Sequence, residues 1–185
     1  MDRRMWFDLV KDWVIAFAVA ATVWLVWALL QPEPVREGEA PPLALPTTEG
    51  KTWNIGHQSS AAYVVNFWAT WCGPCRKEIP ELAAFAKAHP EVQVIGVSVD
   101  DKLTTERLEA EARRLGITYA VLHDAEGEAA SLWGVSVYPT TFVVDRNLNI
   151  VNTRIGEVDR SRLEDMLPGN LQGSAPAAVL PWGAR

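Results

Sequence analysis

The chain is short of sulfur, imidazole and positive charge, and each shortage removes a class of function. It holds two cysteines and three histidines in 185 residues. A zinc site would need two ligands beyond the cysteines, and His57, His89 and His123 stand apart with no paired spacing, so no metal and no cofactor are expected. Lys and Arg number 17 against 23 Asp and Glu, a formal net charge of -6, with no basic cluster. Nucleic-acid binding draws on clustered Lys and Arg that displace counterions, so no nucleic-acid partner is expected. No segment repeats. Apolar residues are not scarce: at 49% they suffice for the core of one ordinary domain with a tail or two.

Charge is missing altogether from Trp13 to Leu30, WVIAFAVAATVWLVWALL, eighteen residues without a helix breaker. At about 1.5 Å per helical residue this run reaches about 27 Å, close to the roughly 30 Å hydrocarbon core of a bilayer. Apolar residues cover every helix face, and Trp13, Trp24 and Trp27 suit the membrane interfaces, which favours a transmembrane helix over a buried core helix. A cleaved signal peptide would have a shorter apolar segment ending in a small-x-small site, so residues 13–30 read as an uncleaved anchor. Arg3, Arg4 and Lys11 precede the span, and Arg36 is the only basic residue in the twenty after it. Residues 1–12 are therefore expected in the cytoplasm and the rest outside, as a single-pass protein of the inner (cytoplasmic) membrane with a periplasmic or extracytoplasmic domain. Residues 31–42, QPEPVREGEAPP, read as a linker, residues 43–167 as the working domain, and residues 168–185, rich in Pro, Gly and Ala, as a flexible tail.

Within 43–167, Lys51 to Ile55 predicts a short strand and Ala62 to Trp68, mostly apolar with β-branched and aromatic residues, a central one. Ile79, Leu82, Ala83 and Ala86 at helical spacing predict a helix over Arg76 to Ala88, ended by His89-Pro90 and kinked at Pro80. The run VQVIGVSVD, residues 92–100, predicts a buried parallel strand. An amphipathic helix over Thr104 to Leu115, closed by Gly116, and a strand over Tyr119 to Leu122 add a further βα unit. A short helix finishing at Ser131 to Gly134, strands over Thr140 to Val144 and Ile150 to Arg154, and a helix over Arg160 to Leu167 complete an α/β sandwich with a mixed sheet.

Both cysteines sit in WATWCGPCRKEIP, residues 68–80. A bridge across a two-residue gap removes little entropy from the unfolded chain, so chemistry explains the pair better than stability does. Cys72 falls where a strand gives way to a helix, and the unpaired N–H groups and dipole of a helix start favour a thiolate. Cys72 is the expected nucleophile. Pro74 fits the first helical turn, where a missing N–H costs nothing, and Cys75, one step inward, is the expected resolving thiol.

At this strand-to-helix position WCGPC resembles the active-site motif of the thioredoxin superfamily, and the likeness covers about residues 43–167. The stretch VVNFWATWCGPCRKEIPEL, the added βα unit and the anchor look like the membrane-anchored extracytoplasmic thiol:disulfide reductases of bacteria, the TlpA/ResA-like group that includes the cytochrome c maturation thioredoxins. The resemblance implies a thioredoxin-like fold with a central mixed sheet flanked by helices, and a redox-active disulfide between Cys72 and Cys75. It implies that Pro139, in VYPTTFVVD, is cis and faces the cysteines. Tyr138 would then offer its backbone to an extended substrate segment beside Trp71, Gly73 and Pro74. Glu78, three residues after Cys75, matches a carboxylate that some anchored members keep near the site, where it can accept the proton of Cys75; a solvated glutamate beside Arg76 and Lys77 is the plainer reading. Asn66 stands where cytoplasmic thioredoxins carry a buried aspartate, and an amide cannot exchange a proton, which leaves Glu78 or water. Trp68 belongs either to the surface around the sulfurs or to the core.

The expected function is a membrane-tethered protein-disulfide reductase, recharged by a membrane electron donor, with apocytochrome c or copper-site assembly proteins as partners. Covalent haem is excluded because Arg76, not histidine, follows Cys75. Two alternatives stay open. One is a copper-delivery protein on the same fold, holding Cu(I) between Cys72, Cys75 and a histidine. The other is a peroxiredoxin-like peroxidase, for which Thr70 is present but an upstream proline is not.

Overall fold

The computed structural model describes residues 3–29, 38–56 and 60–172. The chain divides into two compact units, Met1–Pro34 and Val35–Arg185. In the first, helix α1 spans Arg3–Leu29, and large apolar side chains such as Phe17 and Trp24 are exposed along it. Among the described residues no helix is long and apolar enough to cross a membrane. The expected span of residues 13–30 ends on Leu30, outside the described residues.

The second unit runs β1 (Gly38–Glu39), β2 (Ala44–Pro46), β3 (Thr52–Asn54), β4 (Ala62–Trp68), α2 (Gly73–Ala88), β5 (Val92–Ser98), α3 (Thr105–Arg114), β6 (Ala120–His123), α4 (Glu128–Leu132), β7 (Thr140–Asp145), β8 (Asn149–Ile155) and α5 (Arg160–Met166). Six strands form one sheet in the order β1-β8-β7-β4-β5-β6, and β2 and β3 form a separate antiparallel pair. The β4, β5 and β6 strands are parallel, whereas β7, β8 and β1 are antiparallel to their neighbours, which makes the sheet mixed. AYVVNFW takes the middle of the sheet because every one of its residues is buried, as a strand covered on both faces requires. Thr104 caps α3 by accepting the Arg107 N–H, as its place at the start of the amphipathic run implies.

The structure departs from the sequence reading at a few elements. Helix α2 begins at Gly73 rather than Arg76 and continues through Pro80, whereas α4, Glu128–Leu132 with Trp133 as its C-cap, finishes where expected. Strands β1 and β2 were not foreseen. The folded body also extends past the expected edges at 43 and 167: Ala40 and Leu171 are buried, and the Gln172 side chain donates to the Asp165 and Leu167 carbonyls. The rest of the expected tail, residues 173–185, and linker residues 31–37 lie outside the described residues.

Alternation along the strands gives the sheet two unlike faces. Tyr63, Val65 and Phe67 of β4 meet Ile95, Val97, Phe142 and Val144 in one apolar cluster with Trp133. On the other face, Val64, Val94 and Val143 pack with Leu82 and Phe85 of α2, while Trp68 joins Cys75, Ile79, Leu108 and Ala112 toward the C-terminal ends of the parallel strands.

Candidate active site

The chain leaves β4 at Trp68, turns through residues 69–72 with the Cys72 N–H donating to the Ala69 carbonyl (3.2 Å), and enters α2. Cys72 is the N-cap of that helix in an extended conformation, and its Sγ accepts the Cys75 N–H at 3.2 Å. An otherwise unpartnered donor of the first turn therefore points at the sulfur, in the direction that favours negative charge there. Gly73 and Pro74 fill the first turn. Cys72 and Cys75 are joined in a disulfide; Cys75 is wholly buried, and Cys72 keeps 6% of its surface open. Cys72 is thus the more accessible of the two.

Trp71 is exposed (65%), and its ring stands edge-on to that of Tyr138 at 6.0 Å between centroids. The Tyr138–Pro139 peptide bond is cis. The Pro139 carbonyl accepts the Gly156 N–H at 2.8 Å, whereas the main-chain N–H and C=O of Tyr138 have no hydrogen-bond partner among the described residues. Burial, and then the charge of Asp124, push the Tyr138 hydroxyl above its ordinary range. Trp71 thus meets Tyr138, the residue before the cis proline. Trp68 is buried, in the apolar cluster that holds both cysteines and against which Tyr138 packs.

Glu78 is 2% exposed, so it is not a solvated partner of Arg76 and Lys77. One carboxylate oxygen accepts the Asn66 amide N–H at 2.8 Å and the other the Val158 main-chain N–H at 3.0 Å. The Asn66 amide also donates to the Thr141 hydroxyl at 3.0 Å. Burial pushes the Glu78 carboxyl up to about 7; the hydrogen bonds from Asn66 and Val158 hold it back, and the nearby Glu157 adds to the rise. Burial and the charge of Glu78 in turn push the Tyr119 hydroxyl above its ordinary range. Glu78 lies three positions after Cys75 on α2, which puts both on one helix face.

Sequence reasoning missed the tie between this loop and β5. Asp100, buried just beyond β5, accepts both the N–H and the hydroxyl of Thr70. A carboxylate at the end of an apolar strand, VSVD, is the one local signal that could have drawn attention to it.

The described histidines, His89 and His123, are engaged elsewhere. His57 lies outside the described residues. His89 caps the far end of α2, about 24 Å along a sixteen-residue helix from Cys72, and stacks on Phe85. Both ring nitrogens of His123 are engaged, with the Asp100 carbonyl and the Thr105 hydroxyl.

Comparison with known proteins agrees with this geometry. A model of the AhpC/TSA family matches residues 37–153. The thiol-disulfide oxidoreductase ResA of Geobacillus thermodenitrificans is 28% identical over 131 residues, 69% of this chain and 74% of that protein. The thioredoxin-like protein YneN of Bacillus subtilis is 27% identical over 86% of this chain and 98% of its own length. The crystal structure of a thiol:disulfide interchange protein of the thioredoxin family from Chlorobium tepidum superposes with a TM-score of 0.60 at 27% identity, covering 72% of this chain and 95% of the other.

Proposed function

Since the chain belongs to the AhpC/TSA family and is a thiol-disulfide oxidoreductase built on Cys72 and Cys75, we propose that it works as a membrane-tethered reductase of extracytoplasmic protein disulfides. The Cys72 thiolate attacks one sulfur of a partner disulfide, and the partner's other sulfur leaves as a thiolate. Cys75, deprotonated, then attacks the Cys72 sulfur, which frees the reduced partner and leaves the Cys72–Cys75 disulfide. Two electrons pass to the partner, and a membrane dithiol donor returns two by the same exchange in reverse.

The carrying observation is the arrangement on α2: a helix-capping sulfur that keeps 6% of its residue's surface open, a wholly buried sulfur behind it, and on the same face a carboxyl pushed up to about 7. Such a group can take a proton from Cys75 and return it near neutral pH. The exposed Trp71 beside Tyr138, with the free main chain of Tyr138, suits an extended partner segment. The tether rests on the uncharged run of residues 13–30 and on the basic residues before it. Its partners on this reading are apocytochrome c or copper-site assembly proteins.

The deciding experiment is the equilibrium reduction potential of the full chain in detergent, set against a thiol redox buffer. A value near or below roughly -230 mV supports a reductase, whereas one near roughly -120 mV would make the chain a donor of disulfides and overturn the proposed direction. Release of the chain from membranes by alkaline carbonate would overturn the tether, and direct turnover of hydrogen peroxide would restore the peroxidase reading.

A further inference from the structure

We propose that Asp100 is a positioning residue for thiol-disulfide exchange: it clamps the chain at Thr70 and so sets the line along which the Cys72 sulfur meets a partner disulfide. The inference rests on Cys72 being the attacking sulfur.

The Asp100 side chain is 3% exposed, and its carboxylate is committed to the loop that carries Cys72. Oδ2 accepts the Thr70 main-chain N–H at 2.9 Å, and Oδ1 accepts the Thr70 hydroxyl at 2.7 Å. Two bonds from one residue to one carboxylate fix both its main chain and its side-chain rotamer, which a single bond would not. Thr70 is the second residue of the turn closed by the Cys72 N–H on the Ala69 carbonyl, so its main chain sets the entry angle of Trp71 and Cys72. The neighbouring Val99 N–H donates to the Trp68 carbonyl at 3.1 Å, which makes the end of β5 a continuous rail for the segment leaving β4.

Asp100 is itself held from two elements. The Ser98 hydroxyl of β5 donates to Oδ2 at 2.7 Å and accepts the Asp100 N–H at 3.3 Å. His123, at the end of β6, reaches the Asp100 carbonyl through Nε2 at 2.9 Å. A carbonyl only accepts, so Nε2 carries the proton, and in the neutral ring Nδ1 takes the hydroxyl proton of Thr105, 3.2 Å away in the first turn of α3. Through Asp100 the added βα unit therefore bears on the redox loop, a connection that reaches thirty residues along the chain at its Thr70 end and 23 at its His123 end.

Exchange between sulfurs needs the attacking, central and leaving atoms nearly in line, and a protein partner docked on Trp71 cannot reorient to compensate for a loose loop. A small alkylating reagent approaches freely, and its rate follows the thiolate fraction of Cys72. The two reactions therefore separate positioning from ionisation.

The reduced full chain, Asp100→Asn, Thr70→Val and Thr70→Ser are compared for exchange with a disulfide-bonded peptide and for iodoacetamide alkylation at the same pH. Asp100→Asn is expected to slow exchange by about ten- to a hundredfold, the scale of a misoriented reacting group. Alkylation should change by less than about threefold, because the helix start that favours the thiolate is untouched. Thr70→Val, which loses the hydroxyl bond alone, should fall between, and Thr70→Ser should recover most of the wild-type rate. Should Asp100→Asn fail to fold, the contrast between Thr70→Val and Thr70→Ser carries the same test. Equal losses in exchange and alkylation, or equal rates in the valine and serine variants, would overturn the proposal. Exchange surviving in Cys72→Ala would instead show that the attacking sulfur was wrongly assigned.

Discussion

The two faces of the central strands share one backbone and nearly the same burial, yet they are composed differently. On the face carrying Tyr63, Val65, Phe67 and Phe142 the buried side chains are apolar or aromatic apart from Thr140, whose hydroxyl donates to the Val137 carbonyl. On the opposite face the apolar layer of Val64, Val94 and Val143 gives way toward the redox loop to Asn66, Gly96, Ser98 and Thr141, with Glu78 above them on α2. Each buried polar group here needs a partner to offset its lost hydration, and Asn66, Glu78, Ser98 and Thr141 all have one. One face holds the fold together; the end of the other is organised around exchange chemistry.

Breaking the apolar face should have the largest effect. Phe142 is wholly buried and packs edge-on to Phe67 and Trp133 at 5.9 and 5.1 Å, so Phe142→Ala is expected to cost about 3–5 kcal/mol in urea unfolding. Its reduction potential should stay near the wild-type value, and a large change would show that the two faces are not separable. Next comes pH. The Glu78 carboxyl lies at about 7 in the fold against an ordinary 4.5, so the folded chain holds that proton more tightly than the unfolded chain. The stability it contributes is full below about pH 4.5 and is lost as pH rises to about 7, on the order of 3 kcal/mol. Glu78→Gln should remove that loss, which unfolding of both oxidised proteins at pH 4.5 and pH 8 would reveal; parallel pH dependences would refute it.

Gly96 sharpens the comparison at one point. A Cβ there would stand 2.9 Å from Nε1 of the buried Trp68 and 3.2 Å from Cε2 of Tyr119, neither of them a loose chain end. Gly96→Ala is expected to cost about 1–3 kcal/mol by overpacking, and a neutral result in thermal unfolding would mean the polar face yields more readily than its packing implies. The smallest stability effect belongs to Trp71. Its exposure predicts that Trp71→Ala changes stability by less than about 0.5 kcal/mol. The Michaelis constant for a protein disulfide should nevertheless rise about tenfold with kcat little altered.

Much of this was legible in the sequence where local pattern and final environment agree. Ala62 to Trp68 matches β4 at both ends because a short, continuous apolar run has no stable place except between two covered faces. Thr104 and Gly116 bracket α3 because cap and stop chemistry is local. Strands β1 and β2 escaped notice because they are two and three residues long, partly exposed, and end on or near proline. The position of Glu78 on the face of Cys75 followed from helical spacing, but its burial did not. The two residues before it, Arg76 and Lys77, are charged, and Val158, which completes its hydrogen bonding, lies eighty residues away. The Thr70–Asp100 clamp joins residues thirty positions apart, and neither carries a pattern that names the other.

The reacting sulfur is also the fastener of a helix. Cys72 Sγ closes the first turn of α2 by accepting the Cys75 N–H, and a thiolate is a far stronger acceptor than a disulfide sulfur. The reduced protein is therefore expected to hold its Cys75 amide proton longer than the oxidised one, which amide exchange at Cys75 would measure.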